Sequence, residues 1–268
     1  DVESINQFNS TNITNRNLNG TDGQDLFNIE DNNTISANGI TYYGIGSIDA
    51  LGETDTVTGS TTWDLLVSGF EAFDISFTGV EIANSGAAGT LNGTTAADKF
   101  VVAGTQSVAA NGTTFNQVTA VTANNGDDDV QYDSADWTIQ GTEATSIEGI
   151  AFTDVESINQ FNSTNITNRN LNGTDGQDLF NIEDNNTISA NGITYYGIGS
   201  IDALGETDTV TGSTTWDLLV SGFEAFDISF TGVEIANSGA AGTLNGTTAA
   251  DKFVVAGTQS VAANGTTF

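Results

Sequence analysis

DLFNI (residues 25–29) is the first of four short segments that decide the fold class of this chain. Its counterparts are DTVTG (55–59), DKFVV (98–102) and DDVQY (128–132). The segments are rich in β-branched and aromatic residues, and the Gly, Asn and Asp residues around them supply turns and positive φ angles. Since no amphipathic period of 3.6 residues persists along the chain, we expect an all-β protein with almost no helix.

These segments recur because the sequence is repetitive. Residues 1–115 and 154–268 are identical at an offset of 153 residues, and only residues 116–153 occur once. Self-similarity at a fixed period indicates a solenoid, a propeller or an array. We therefore expect this stretch to belong to a longer tandem array.

Each 153-residue repeat divides into two related halves, since LNGTDGQDLF (18–27) matches LNGTTAADKF (91–100). The second half is slightly longer than the first. This division predicts five segments: the end of a preceding repeat (1–17), half A (18–90), half B (91–170), a second half A (171–243) and the start of a second half B (244–268).

A weaker period lies below the halves and predicts the architecture. Aromatic residues followed three positions later by an aliphatic residue recur at 42, 77, 115 and 152, which are 35 to 38 residues apart. Dividing this period in two predicts a parallel β-solenoid (β-helix) of roughly 19-residue coils, with strands about 4.8 Å apart from coil to coil. A string of small Ig-like β-sandwich domains is the alternative, with one domain in each half.

Composition excludes several classes of partner and chemistry. The chain has 35 Asp and Glu against 4 Lys and Arg, a net charge of −31, which argues against nucleic acid and anionic lipid but suits cations. Cys and His are absent, which excludes disulfides, thiolate sites, the usual zinc site and the Ser-His-Asp triad. No apolar run is long enough to cross a bilayer.

GTDGQDLFN (20–28), which recurs at 173–181, is the candidate metal-binding motif. It resembles the calcium-binding nonapeptide G-G-x-G-x-D-x-U-x of RTX proteins, with Thr21 in place of the second Gly. The resemblance implies that turn carbonyls and Asp carboxylates surround Ca²⁺. The alternative is a turn in which the Asp carboxylate caps the next strand. The candidate calcium ligands, which include the acidic run at 127–129, are Asp22, Asp25, Asp127, Asp128, Asp129, Asp175 and Asp178.

The longer pattern has a wider resemblance. Segments such as FTGVE (77–81), each followed by a Gly- and Asn-rich turn and an Asp-x-aromatic or Asp-x-aliphatic triplet, resemble giant repetitive surface proteins of bacteria, among them filamentous-haemagglutinin-like and RTX adhesins. The resemblance implies secretion, an elongated β-rich stalk, and a role in adhesion, biofilm matrix or extracellular filaments. The implied partners are copies of the chain itself, along or beside a fibre.

Two classes of function follow as expectations. The first is a structural repeat region of a secreted, cell-surface filament or adhesin stalk, whose length is set by copy number. The second is a binding module whose repeats hold Ca²⁺ or surface glycans, with Trp63, Trp137 and Trp216 as stacking platforms, although repeated aromatic residues are more often core residues. We do not expect an enzyme, because every acidic pair is duplicated along the array, whereas catalysis needs one organised site.

Overall fold

The computed structural model describes residues 4–6, 16–132, 136–141, 143–159 and 169–268, and their regular structure is entirely β. The strands of the first 153 residues are β1 Ser4–Asn6, β2 Asn17–Asn19, β3 Leu26–Asp31, β4 Thr34–Ala37, β5 Ile40–Tyr43, β6 Ser47–Asp49, β7 Thr56–Thr58, β8 Thr62–Leu65, β9 Phe70–Ala72, β10 Ile75–Thr78, β11 Ile82–Asn92, β12 Lys99–Gly104, β13 Ser107–Ala110, β14 Thr113–Thr122, β15 Asp129–Gln131, β16 Asp136–Gly141, β17 Ala144–Ile147 and β18 Ile150–Thr153. The later strands are β19 Ser157–Asn159, β20 Asn170–Asn172, β21 Leu179–Asp184, β22 Thr187–Ala190, β23 Ile193–Tyr196, β24 Ser200–Asp202, β25 Thr209–Thr211, β26 Thr215–Leu218, β27 Phe223–Ala225, β28 Ile228–Thr231, β29 Ile235–Asn237, β30 Thr243–Asn245, β31 Val254–Gly257, β32 Ser260–Ala263 and β33 Thr266–Thr267. Across these described ranges no helix is long and apolar enough to span a membrane.

The described residues form two compact units, the first within 1–130 and 148–154 and the second within 131–147 and 155–268. Most of the segment 1–17, which we assigned to a preceding repeat, lies outside the described residues. Each unit is a parallel β-solenoid, which confirms the predicted fold class. The Ig-like alternative is wrong, because the strands of successive coils pair in parallel, whereas an Ig sandwich is built from antiparallel sheets.

One ladder of the first unit shows how its coils stack. Leu26 of β3 pairs in parallel with Thr56 of β7, Thr56 with Ile82 of β11, and Ile82 with Thr114 of β14. In the second unit the same sequence repeats the same register, with Leu179 opposite Thr209 and Thr209 opposite Ile235. Identical sequence therefore gives the same register over these three strands.

A second ladder in the first unit forms the other side of the coil. Thr62 of β8 pairs in parallel with Thr90 of β11, and Ala120 of β14 with Ala151 of β18. The long strands β11 and β14 contribute their first residues to one ladder and their last residues to the other. Each coil thus has two sheet-forming sides that face a shared core.

The predicted coil length is wrong, because the observed coils are longer. Residues that bond each other across successive coils lie 30, 26 and 32 residues apart, in the pairs Asp25 with Asp55, Asp55 with Glu81, and Asn84 with Asn116. The prediction halved the sequence period on the assumption that each period holds two complete coils. The period has a different origin, which is an antiparallel excursion inserted into the coil.

This excursion is a three-stranded meander. In the first example β4 pairs antiparallel with both neighbours, so that Ile35 lies opposite Ile29 of β3 and Tyr42 of β5. The turn at Asn38 and Gly39 has φ of 52° and 75°, the two positive angles that a type I′ hairpin needs. Later excursions begin at β8, β12, β16, β21 and β26, and their regular spacing is the period that the sequence displays.

Aromatic residues from both sides of the coil fill the core. In the first unit Trp63, Phe70 and Phe77 from one meander meet Phe115 of β14, and all four side chains are buried. Trp63 meets Phe70 edge to face at 5.6 Å between ring centroids, and Phe70 meets Phe115 in the same way at 5.2 Å. The indole N–H of Trp63 donates a hydrogen bond to Ser85 Oγ at 2.9 Å. Its only polar atom is therefore satisfied, as burial requires.

Candidate functional site

An acidic residue stands immediately before each of the first three strands of the first ladder in both units. Asp25, Asp55 and Glu81 precede β3, β7 and β11, and we call this trio the first acidic stack. Asp178, Asp208 and Glu234 precede β21, β25 and β29 and form the second acidic stack. Each stack holds two buried aspartates, Asp25 with Asp55 in the first and Asp178 with Asp208 in the second.

The second and third carboxylates of a stack each accept a backbone N–H from the coil before them. Asp25 N–H donates to Asp55 Oδ1 at 2.7 Å, and Asp55 N–H donates to Glu81 Oε2 at 2.8 Å. Thr56 N–H in turn donates to the carbonyl of Asp25 at 3.0 Å. The acidic side chains thus extend the parallel ladder beyond the start of the strands and satisfy N–H groups that burial would otherwise leave unpaired. The equivalent bonds in the second stack are 2.8 and 2.9 Å.

The Gly-rich turn before β3 is closed by its own side chains. The N–H and hydroxyl of Thr21 donate to Asp25 Oδ2 at 2.6 and 3.0 Å, and Gly23 N–H donates to Thr21 Oγ1 at 3.2 Å. Thr21 is the residue that replaces the second Gly of the nonapeptide pattern. It gives Asp25 two local donors, so this carboxylate already has protein partners in the turn.

Comparison of the turn at 20–25 with the turn at 93–98 shows which residues the shared turn geometry requires and which it does not. Thr94 and Asp98 make the same pair of bonds at 2.6 and 3.0 Å, although Ala96 stands where the first turn has Gly23. Gly20 is different, because a Cβ there would lie 2.0 Å from the carbonyl oxygen of Ala50. The sequence pattern shared by these two turns is therefore Gly-Thr-x-x-x-Asp.

The structure places the seven candidate calcium ligands in different surroundings. Asp25, Asp128 and Asp178 are buried, and each accepts at least one backbone N–H bond, which from Asp98 to Asp128 Oδ1 is 2.7 Å long. The other candidates are on or near the surface, namely Asp22, Asp127, Asp129 and Asp175. Over the described ranges no three His, Cys, Asp or Glu side chains are grouped so as to hold a metal ion. Calcium binding by these residues stays a prediction, and a melting temperature that a chelator leaves unchanged would contradict it.

The central residue of each stack has an unusual electrostatic setting. Asp55 and Asp208 are fully buried, and the Oδ2 atom of each has no hydrogen-bond partner. The pKa of Asp208 is raised to about 6, chiefly because the group is buried, while the N–H of Asp178 lowers it and the carboxylates of Asp178, Glu234 and Glu206 raise it. Burial is also the main cause of the raised pKa of Asp55. A proton on Asp208 removes a buried negative charge, so the second acidic stack responds to mildly acidic pH.

Sequence reasoning missed these central residues as a site. Asp55 was seen as one member of an Asp-x-aliphatic pair, and Glu81 as the end of an aromatic-x-x-Val-Glu segment. The signal that finds them is an acidic residue two positions before an inward-facing aliphatic one, recurring once per coil, as in Asp55 with Val57 and Glu81 with Ala83.

The tryptophans are core residues, as the sequence favoured. Trp63, Trp137 and Trp216 are all buried. A stacking platform for sugars needs an exposed ring face, so none of the three serves as one in this conformation.

The chain matches no protein-family model, no curated protein and no solved structure among those compared. The ladders, the acidic stacks and the repeat itself are thus the basis for a functional proposal.

Proposed function

We propose that this chain is a structural repeat region of a secreted extracellular filament or adhesin stalk, whose length is set by the number of repeats. The supporting observation is that the ladders run from coil to coil, with Leu26, Thr56, Ile82 and Thr114 each paired in register with the next. A solenoid of this kind has no closed end, so another identical repeat extends it without any new type of interface.

The acidic surface suits the same role. A net charge of −31 keeps such chains soluble and separates neighbouring stalks, while Asp55 and Glu81 in the first stack accept backbone N–H groups along the ladder. The partners in this proposal are further copies of the repeat, and the location is the cell surface or the extracellular matrix. The burial of the tryptophans favours this role over a glycan-binding module.

The proposal predicts a fixed gain in length for each repeat. In the first unit the paired strands follow one another in the order β3, β7, β11, β14, β13 and β12, so β12 lies five inter-strand distances from β3. This half repeat therefore advances about 24 Å, and a whole 153-residue repeat about 48 Å.

The test is a series of chains with two, three, four and six copies of the repeat. Electron microscopy and small-angle scattering should give straight rods that lengthen by about 48 Å per copy. Beads on a flexible string, or a length that does not follow copy number, would contradict the stalk.

A further inference from the structure

One hairpin turn in the first unit differs from two others in sequence but not in backbone conformation. The turns at Asn38-Gly39 and Asn111-Gly112 have positive φ at both central residues, 52° and 75° in the first and 50° and 84° in the second. The turn between β9 and β10 has the same left-handed conformation, with φ of 51° and 58°, but its central residues are Phe73-Asp74. Since Asn-Gly is the usual pair for such a turn, backbone geometry does not explain the choice of Phe-Asp.

The side chain of Phe73 is exposed at a cost to the backbone. A bulky residue in the left-handed region is strained, whereas Gly, and to a smaller degree Asn and Asp, adopt this region readily. Phe73 is 42% exposed, and its counterpart Phe226 in the second unit is 43% exposed with φ of 53°. An Asn at this position would relieve the strain and remove apolar surface from water. Strain of this kind is typical of residues that serve a function.

A neighbouring turn fixes the position of this hairpin tip. Asn33 N–H donates to the carbonyl of Phe73 at 3.1 Å, and Asn33 Nδ2 donates to the carbonyl of Asp74 at 2.9 Å. Asn32 Nδ2 donates to Asp74 Oδ2 at 2.9 Å. The same three bonds recur in the second unit between residues 185–186 and 226–227. The backbone that carries the exposed ring is therefore held in place in advance, which lowers the entropy cost of binding.

The same two turns carry polar side chains that remain in water. Asn32 and Asp74 are both exposed. A carboxylate has two acceptor oxygens, and an amide has two N–H donors and an acceptor oxygen, so the pair keeps capacity for further hydrogen bonds after its own bond is made. An exposed aromatic ring together with planar amide and carboxylate groups suits a ligand that has one apolar face and a rim of hydroxyl groups.

We propose that Phe73, Asn32 and Asp74 form a binding site for a neutral glycan of equatorially substituted hexoses, such as a β-linked glucan, and that the site is repeated around Phe226. In such sugars the axial C–H groups form a flat apolar face that stacks on an aromatic ring, while the hydroxyls bond amide and carboxylate groups. The net charge of −31 disfavours anionic glycans. The buried tryptophans take no part in this site.

This inference goes beyond the proposed stalk, because it gives the shaft of the stalk a ligand of its own. Each further repeat adds one more site. A long array should therefore bind a polymeric glycan more tightly than a short one, through multivalency.

The test is saturation-transfer difference NMR of the 268-residue chain with three neutral hexasaccharides, namely cellohexaose, laminarihexaose and chitohexaose. We expect a difference signal from at least one of them, strongest at the axial C–H protons that lie against the ring. Hexagalacturonate, which has a carboxylate on every sugar, should give no signal. Absence of a signal from all three neutral sugars, or an equal signal from hexagalacturonate, would overturn the proposal.

A paired variant tests the ring itself. Phe73→Asn with Phe226→Asn gives both turns the asparagine of the Asn-Gly turns, so it removes the ring and relieves the strain. It should weaken sugar binding by at least about tenfold and melt no lower than the parent. Val67→Asn with Val220→Asn, at exposed valines in the same meanders, is the matched control and should bind like the parent.

Sugar binding that survives Phe73→Asn with Phe226→Asn would overturn the proposal. A melting temperature several degrees lower would do the same, because Phe73 would then be a packing residue. Phe73→Trp with Phe226→Trp keeps an aromatic ring and should bind at least as tightly as the parent, and its failure to bind would also count against the site.

The outcome is separable from the stalk. Rods that lengthen with copy number but bind no sugar would reject the glycan site alone. Sugar binding by chains that form no rods would reject the stalk alone.

Discussion

Residues 91–115 and 244–268 have the same sequence in two different surroundings, and they differ most in burial. Phe100 is 0% exposed and Phe253 is 48% exposed, and Val102 is 5% exposed against 81% for Val255. In the first surroundings the next coil is in place, since Asp129 N–H donates to the carbonyl of Asp98 at 3.0 Å. The comparison shows that a coil does not bury its own apolar residues, and that the coil which follows buries them.

This dependence explains why identical copies are useful. In a quasi-one-dimensional fold the stability is a sum of terms from single repeats and terms from the interfaces between neighbours. When the interface term dominates, a uniform sequence makes every interface equivalent, and none is weaker than the others.

The largest difference in the free energy of unfolding should appear between substitutions of Phe100 and of its counterpart Phe253. Phe100→Ala should lower the free energy of unfolding by about 3–5 kcal/mol, as for a large aromatic residue removed from a packed core. Phe253→Ala should cost less than about 1 kcal/mol, because half of that side chain is already in water. Urea unfolding of the two variants checks this, and equal losses would contradict the comparison.

A smaller difference in the free energy of unfolding should separate substitutions of the two serines that accept a tryptophan indole N–H. Ser85 is buried and accepts the Trp63 indole N–H at 2.9 Å, whereas Ser238 is only half-buried and makes the same bond to Trp216 at 2.8 Å. Ser85→Ala should cost about 1–3 kcal/mol, because the buried N–H loses its partner. Ser238→Ala should cost less, since water can replace the hydroxyl. Thermal unfolding of both variants decides the point, and a larger loss at Ser238 would be against it.

The acidic stacks predict a pH dependence of stability with a definite sign. The pKa of Asp208 is about 6 in the folded chain. An unfolded Asp has a pKa of about 3.9. The folded state therefore binds the proton more tightly, so stability rises as pH falls from about 7 towards 4 and is lost as pH rises through 6. The melting temperature should be several degrees higher at pH 5 than at pH 7.5.

Asp208→Asn tests the source of this dependence. The amide keeps an oxygen for the Asp178 N–H and replaces the unpartnered Oδ2 with an uncharged group. The variant should melt at least as high as the parent at pH 7.5 and show a shallower pH profile. Asp175→Asn, at an exposed position in the preceding turn, is the control and should keep the parent profile. A profile unchanged by Asp208→Asn would assign the effect to other groups.

Sequence reasoning reached the fold class and the core but not the coil length. Short β-rich segments such as DLFNI alternate inward and outward residues, and a periodic sequence stacks them, so an all-β solenoid with buried tryptophans follows directly. The hairpins were not predicted, although Asn38-Gly39 and Asn111-Gly112 each lie between apolar residues, and Asn-Gly in that setting is a strong hairpin signal.

The acidic stacks were beyond the same reasoning for a physical reason. Asp25 and Asp55 are 30 residues apart and meet only when the coil has its true length and register. With the shorter coils that the sequence period suggested, the partner of Asp25 would fall in the wrong place. The turn itself was predicted from GTDGQDLFN as one of two alternatives, with the Asp carboxylate capping the next strand, whereas the carboxylate of Asp25 bonds Thr21 and so closes the turn before that strand.

The most direct test is to add residues 116–153 after Phe268 and to measure thiol reactivity at Val255→Cys, with Val102→Cys as reference. In the 268-residue chain Val255→Cys should react with a thiol reagent about as fast as a free thiol, and Val102→Cys much more slowly. If the following coil supplies the burial, the added residues should slow Val255→Cys to the rate of Val102→Cys. A Val255→Cys that stays fast in a folded, extended chain would contradict the account.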